Sequence, residues 1–210
     1  MFEVWGITGV IGSGKSTAMK IIGELRYPGI DADQVSRIVV DKKREEGKQG
    51  FGLIYRAFGP EVLNSLGELD RVALRKRMMR NPDDRKVLES ILHPLILEYI
   101  TKIMTQWKAS GTKMAFIEGT RLIESDFHNM LTGIVAVTAS EDVKIRRLMK
   151  RDSMGRDEIF QMLQLQNEEL MKRISKAEWK NNASEAALKK QIQDFITKRL
   201  AQEKPQEKKP

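Results

Sequence analysis

The 210-residue chain is 40% hydrophobic and 31% charged, and its 37 Lys/Arg against 29 Asp/Glu leave a net charge of +8. That length suits one α/β domain with insertions, or at most two small domains, and the composition is that of an ordinary globular protein. The chain has no cysteine, which excludes disulfides, zinc–thiolate sites and thiol nucleophiles, and no apolar run nears the ~20 residues of a membrane span.

The opening "MFEVWGITG" lacks the basic n-region and long apolar core of a signal peptide, so a cytoplasmic protein without a membrane partner is expected. The positive charge is scattered over helical stretches and the tail "KRLAQEKPQEKKP". There is no compact basic run interleaved with aromatics, so the charge reads as solvated faces plus a small polyanionic substrate, with no nucleic-acid partner.

In chain order, residues 2–8 form a short apolar run suited to a buried strand. From Lys15 the period changes, and Ala18, Ile21, Ile22 and Leu25 fall on one helical face that Pro28 is expected to end. "GIDAD" (Gly29–Asp33) is a brief second strand ending in carboxylates. The opening is therefore strand–loop–helix–strand, as in a βαβ unit.

Residues 34–111 read as mainly helical, punctuated by Gly59, Pro60 and Gly67. Asn81 can cap a helix, Pro82 fits its first position, and Asp83 and Asp84 favour the positive end of its dipole. Pro94 is expected to separate two helices or to kink one. "KMAFIE" (Lys113–Glu118) and "GIVAVT" (Gly133–Thr138) are two further strands, apolar enough for a parallel sheet covered on both faces. A charged helical stretch follows over 141–173, and "AEWKNN" (Ala177–Asn182) suits a last strand with its exit loop. A closing helix starts near Ser184, and the tail beyond Ala201 has a disordered composition.

The run "GVIGSGKS" (Gly9–Ser16) satisfies G-x-x-x-x-G-K-[ST] between a strand and a helix, the context a phosphate loop requires. Gly9, Gly12 and Gly14 permit the close backbone approach that a side chain would block. The loop amides, Ser13 and Thr17 among them, then converge on phosphate oxygens at a positive helix N-terminus. Lys15 would reach the β- and γ-phosphates, and the Ser16 hydroxyl would ligate Mg²⁺. ATPases, GTPases and small-molecule kinases share this loop.

"DADQVSR" (Asp31–Arg37) closes the second strand, at the sheet end where doubly wound folds bind ligands. A carboxylate there can accept the proton of an attacking hydroxyl, with Asp33 the candidate base and Asp31 nearer the metal or structural hydrogen bonds. Alternatively both carboxylates cap the next helix.

"GITGVIGSGKSTA", "DADQVSR", "FGPEVL", "GELDR", "LESILHPLI" and "RRLMKRD" occur in the order and spacing of dephospho-coenzyme A kinases, and the resemblance spans residues 4–182. It implies an α/β, P-loop kinase-like parallel sheet of about five strands, flanked by helices, with a helical substrate-binding insertion and a helical lid. The implied division is a nucleotide-binding core (1–33, 112–138 and 174–201), a dephospho-CoA-binding domain (34–111), a lid (139–173) and a tail (202–210). The implied reaction moves the γ-phosphate of ATP, with Mg²⁺, onto the ribose 3′-hydroxyl of 3′-dephospho-CoA. The expected assembly is a monomer or small homo-oligomer.

On this resemblance Asp33 is the catalytic base, and His93 and Arg71 are substrate-side residues, with packing as the alternative for each. Arg147 and Arg151 match the lid pattern R-L-x-x-R, a spacing that lets two guanidinium groups share one helical face over the phosphates. The chain departs from the family's D-x-P-L-L-x-E with "EGTRLIE" (Glu118–Glu124), so Glu118 takes the carboxylate's place near Mg²⁺ or the substrate, and Arg121 adds a cation that contacts substrate phosphate or pairs with Glu124. Lys144 stands for a usual glutamine and Met162 for a usual arginine, which implies altered kinetics or a rearranged lid. Asn182 is the candidate adenine-pocket residue, in a loop one residue shorter than the family's. The competing readings are a kinase of another nucleoside or nucleotide, and a nucleotide-binding regulatory protein with weak catalysis.

Overall fold

A computed structural model describes residues 1–119 and 129–202. By its internal contacts the chain divides into two compact units, Met1–Ile30 with Trp107–Pro210, and Asp31–Gln106. Of the tail expected to be disordered, Gln202 still belongs to the closing helix, and residues 203–210 lie outside the described residues.

The first unit is built on a five-stranded sheet of order β2-β3-β1-β4-β5, with β1 Glu3–Thr8, β2 Gly29–Asp31, β3 Met114–Glu118, β4 Gly133–Thr138 and β5 Ala177–Lys180. The central strand β1 pairs in parallel with both β3 and β4, and β4 pairs in parallel with β5. Six consecutive residues are buried in β1 and six in β4, which is what a sheet covered on both faces demands. Helix α1 (Lys15–Glu24) and the closing helix α9 (Glu185–Gln202) cover it. Ala18, Ile21 and Ile22 of α1 and Leu188, Ile192 and Ile196 of α9 join Trp5, Ile7, Phe116, Val135 and Trp179 in one core.

Helix α1 stops at Glu24, before Pro28 can end it. Arg26 adopts the left-handed conformation (φ 64), Tyr27 N–H bonds the Ile22 carbonyl at 3.1 Å and Arg26 N–H bonds the Gly23 carbonyl at 2.9 Å. This is a Schellman stop with an arginine in the position glycine usually fills.

Trp5, Phe195 and Trp179 stack edge to face, with centroids 4.8 and 5.5 Å apart along the series. Beside them Glu3 is only 5% exposed, yet Trp5 Nε1 donates to it at 2.7 Å and Arg199 Nε donates at 3.2 Å. Burial pushes the Glu3 carboxyl up, but the hydrogen bonds from Arg199 and Trp5 and the charge of Arg199 outweigh it, holding the pKa below 4.5. A depressed carboxyl contributes stability that is full above the unfolded-state value and is lost as pH falls through the folded one. Glu3→Gln should therefore cost about 2 kcal/mol at neutral pH while flattening the loss of stability below about pH 5. Urea titrations at several pH values check this; parallel pH curves for the two proteins would contradict it.

The second unit is helical: α2 Ala32–Ile38, α3 Glu45–Phe58, a 3₁₀ turn at Pro60–Val62, α4 Arg71–Arg80 and α5 Pro82–Ala109. Asp70 caps α4 by accepting from the amides of Val72 and Ala73 at 2.9 and 3.0 Å. Val35, Ile54, Phe58, Val62 and Ile100 are buried in this unit. Gly50 lets α3 close on the end of α2, since a Cβ there would sit 2.0 Å from the Val39 carbonyl oxygen. Asn81 Oδ1 accepts from the Asp83 amide at 3.0 Å as α5 begins. Pro94, however, neither ends nor divides α5, which runs unbroken through it. Both Pro94 and Ser90, whose carbonyl loses the N–H it would otherwise accept, are exposed, so the freed group lies where water can reach the chain.

The charged stretch of the first unit resolves into α6 Glu141–Asp152, α7 Arg156–Gln164 and α8 Glu168–Ile174. Ile145, Leu148, Ile159 and Leu163 from these helices bury against Val10 of the glycine-rich loop. A hydrophobic stripe inside a strongly charged sequence is what fastens them there. Among the described residues no helix is long and apolar enough to cross a membrane.

Candidate active site

The buried β1 strand delivers the chain directly into the loop Gly9–Gly14, and Gly14 is the N-cap of α1 at φ 101. Only glycine fits there, because a Cβ would meet the Asn181 Nδ2 at 1.9 Å as well as straining the backbone. The first turn of α1 thus presents its amides and its positive dipole end to the loop. Lys15 is 9% exposed and folds back over the loop, donating from Nζ to the Gly9 carbonyl at 2.8 Å. Ser13 is fully buried, and its Oγ has no hydrogen-bond partner among the described residues.

A cavity of about 290 Å³ brings together Gly12, Gly14, Lys15, Ser16 and Thr17 with Arg147 and Arg151 of α6. Arg147 bonds the carbonyls of Gly12 and Ser13, each at 3.3 Å, and the Asn181 carbonyl at 2.9 Å. Burial, and then the like charge of Arg146, lower its pKa, so the charge is held in a place that disfavours it. Arg151 is instead gripped by Asp152 through two bonds of 2.7 Å, and that contact raises its pKa. Glu118 ends β3 opposite Ile7 in the β1 register, at the C-terminal end of the strands where the loop begins.

The Ser16 hydroxyl is exposed and takes no hydrogen bond among the described residues. No group of three or more His, Asp or Glu able to hold a metal occurs among them either. One hydroxyl beside a phosphate loop fits a Mg²⁺ that arrives on nucleotide phosphates and keeps several waters.

Asn182 accepts the Ser140 amide on its Oδ1 at 2.6 Å, tying the exit of β5 to the start of α6. The neighbouring Asn181, 4% exposed, is the one on the loop: its Nδ2 donates to the Ser13 carbonyl at 2.9 Å, and its Oδ1 accepts from Arg147 at 3.2 Å. Strand alternation carried one residue past Lys180 places Asn181 on the buried face with Trp179, a signal the sequence did contain. Gln166, whose Oε1 accepts the Ile11 amide at 2.9 Å, has no local signature at all.

In the second unit Asp31 Oδ1 accepts from the amides of Asp33 and Gln34 at 2.8 and 3.2 Å and so caps α2. Asp33 lies exposed in the first turn of that helix. The two carboxylates of "DAD" therefore divide: Asp31 makes the cap and Asp33 does not.

This unit also contains a cavity of about 470 Å³ lined by Arg37, Lys42, Lys43, Arg44 and Arg71, with Asp41 and Glu68 the only acids on its wall. Lys43 pairs with Glu68 at 2.5 Å and Arg44 with Asp41 at 3.5 Å. Arg71 has its pKa lowered by burial and by Arg37, against a smaller pull from Asp41. His93 is exposed in the middle of α5. Arg121 lies outside the described residues.

A family model described as dephospho-CoA kinase matches residues 3–201. The dephospho-CoA kinase of Geobacillus kaustophilus is 35% identical over 73% of this chain and 74% of its own length. That of Halalkalibacterium halodurans is 33% identical over 91% of this chain and 94% of its own. Among solved structures, a dephospho-CoA kinase from Campylobacter jejuni superposes with a TM-score of 0.69 at 23% identity, covering 94% of this chain and 97% of its own, which supports the fold.

Proposed function

The chain belongs to the dephospho-CoA kinase family, and from that premise we propose which of its residues carry the phosphate of ATP onto the ribose 3′-hydroxyl of 3′-dephospho-CoA. The observation that carries the reading is the convergence of Lys15, Ser16, Thr17, Arg147 and Arg151 on one cavity at the N-terminus of α1. A triphosphate there meets helix amides and three cations in a small, partly enclosed space.

In this reading the 3′-hydroxyl oxygen bonds the γ-phosphorus as the bond to the β,γ-bridging oxygen breaks, and ADP leaves. Asp33 accepts the hydroxyl proton. Lys15, Arg147 and Arg151 stabilise the charge spread over the transferring phosphoryl oxygens and the leaving ADP. Ser16 would hold Mg²⁺, with Glu118 near it or its waters; when bound, the ion neutralises charge on the β- and γ-phosphates. Asn182 keeps its Nδ2 for the adenine edge, since only its Oδ1 is committed to Ser140.

The basic cavity of the second unit supports an anion-binding role toward the acceptor, whose diphosphate would answer the mutual repulsion of Arg37 and Arg71. His93, Arg121 and Glu118 complete the proposed acceptor contacts. The reaction needs neither a membrane nor a nucleic acid, and the cytoplasm and a monomer or small homo-oligomer fit it. Arg71→Ala should raise the KM for dephospho-CoA at least about tenfold and leave the KM for ATP unchanged. Steady-state kinetics with each substrate varied in turn test this, and an unchanged acceptor KM would remove Arg71 from the site.

A further inference from the structure

The loop is held not only by α1 but also by α6 and α7. Val10 is buried against Ile145, Leu148, Ile159 and Leu163, with Ile11 packed at the edge of the same cluster. Apolar packing fixes the distance of α6 and α7 from the loop but not its rotation, because it is non-directional. Directional contacts are needed as well: Arg147 bonds the Gly12 and Ser13 carbonyls in the second half of the loop, and in its entry half the Ile11 amide donates to Gln166 Oε1 at 2.9 Å.

Gln166 lies in the turn between α7 and α8, and that turn is itself pinned. Its N–H bonds the Leu163 carbonyl and its carbonyl accepts from the Glu168 amide, both at 3.1 Å. Asn167 Oδ1 caps α8 by accepting from the Leu170 amide at 2.9 Å. Two residues past Gln166, Glu168 pairs with Lys144 of α6, whose side chain is only 7% exposed. A cation so buried is tolerable only when paired, and a buried pair admits few alternative registers of the two helices. The same turn of α6 reaches the loop directly: a Cβ at Gly12 would sit 3.1 Å from the Lys144 carbonyl oxygen.

We propose that Gln166 is a positioning residue for the phosphate loop, held in register by the buried Lys144–Glu168 pair. Gln166 fixes the Ile11 peptide, and with it the entry half of the loop, before nucleotide arrives. Less ordering then remains for ATP to impose, so part of its affinity comes from this contact. The inference rests on the reading of the loop as the ATP site. It also gives the lysine at position 144 a role that a neutral side chain could not fill in the same way.

The test is ATP·Mg²⁺ binding by calorimetry on the wild type and Gln166→Leu, with amide exchange of residues 9–14 and the KM of each substrate. Gln166→Leu should weaken ATP about fivefold, raise the KM for ATP by the same factor, speed exchange at Ile11, and leave the KM for dephospho-CoA unchanged. ATP affinity equal to that of a binding wild type would overturn the positioning role, as would equal losses for both substrates. A wild type that does not bind ATP would instead strike the assignment of the loop. Should Gln166→Leu fail to fold, Glu168→Gln, which leaves Gln166 in place but strips the charge from its anchor, is read by the same criteria.

Discussion

Lys15→Ala is expected to lower kcat by roughly 100- to 1000-fold, the effect of removing one preorganised charge from a phosphoryl-transfer site. Lys15 is the loop's own cation, buried and in contact with the Gly9 carbonyl at 2.8 Å, so it stands over the loop rather than in bulk water. Its charge interacts more strongly there than it would on the surface. The fold should persist, because Ala18, Ile21 and Ile22 hold α1 in the core independently. Turnover within a few-fold of wild type, in a variant whose thermal midpoint is normal, would remove the loop from catalysis.

Asp33→Asn is the second large effect: kcat should fall by about 10² to 10⁴, the usual contribution of a positioned general base, while the affinity for ATP stays nearly unchanged. The amide of Asp33 bonds to Asp31 Oδ1 and its carbonyl accepts from Ser36 Oγ at 2.7 Å, so its backbone takes part in the local helix start. Asparagine is isosteric and keeps both bonds. Isothermal titration with ATP and single-turnover kinetics separate binding from chemistry; wild-type-like turnover would take Asp33 out of the base role.

Local chemistry made much of the fold legible. The change from an apolar run to helical spacing at Lys15 foretold β1 and α1, and the continuous apolar run at Gly133–Thr138 is β4 to the residue. Asn81 and Pro82 marked the start of α5 because capping is a property of a few adjacent residues. Pro94 did not divide the helix, because the cost of a helical proline depends on whether water can reach the carbonyl it frees, and exposure is a tertiary property.

The candidate site divides along the same line. The residues of the glycine-rich loop, and the two arginines one helical turn apart in α6, line one cavity because their spacing is itself the constraint. Strand alternation could have put Asn181 on the buried face, but its partner Ser13 and Gln166's partner Ile11 lie 168 and 155 positions away, so neither contact could be read locally. The sequence marks Lys144 as standing for a usual glutamine, but its burial at 6% exposure and its pairing with Glu168 belong to the folded structure. Arg151 was placed on the phosphate face by its spacing, but only the structure shows that Asp152 already holds its guanidinium.

The most direct measurement is phosphate transfer itself: ADP release from ATP and Mg²⁺ with dephospho-CoA, adenosine and the common nucleoside monophosphates offered in turn. The account predicts rapid turnover with dephospho-CoA, with the new phosphate on the ribose 3′-oxygen, and little with the others. Preference for a nucleoside or a nucleoside monophosphate, or ADP release that no acceptor stimulates, would contradict it.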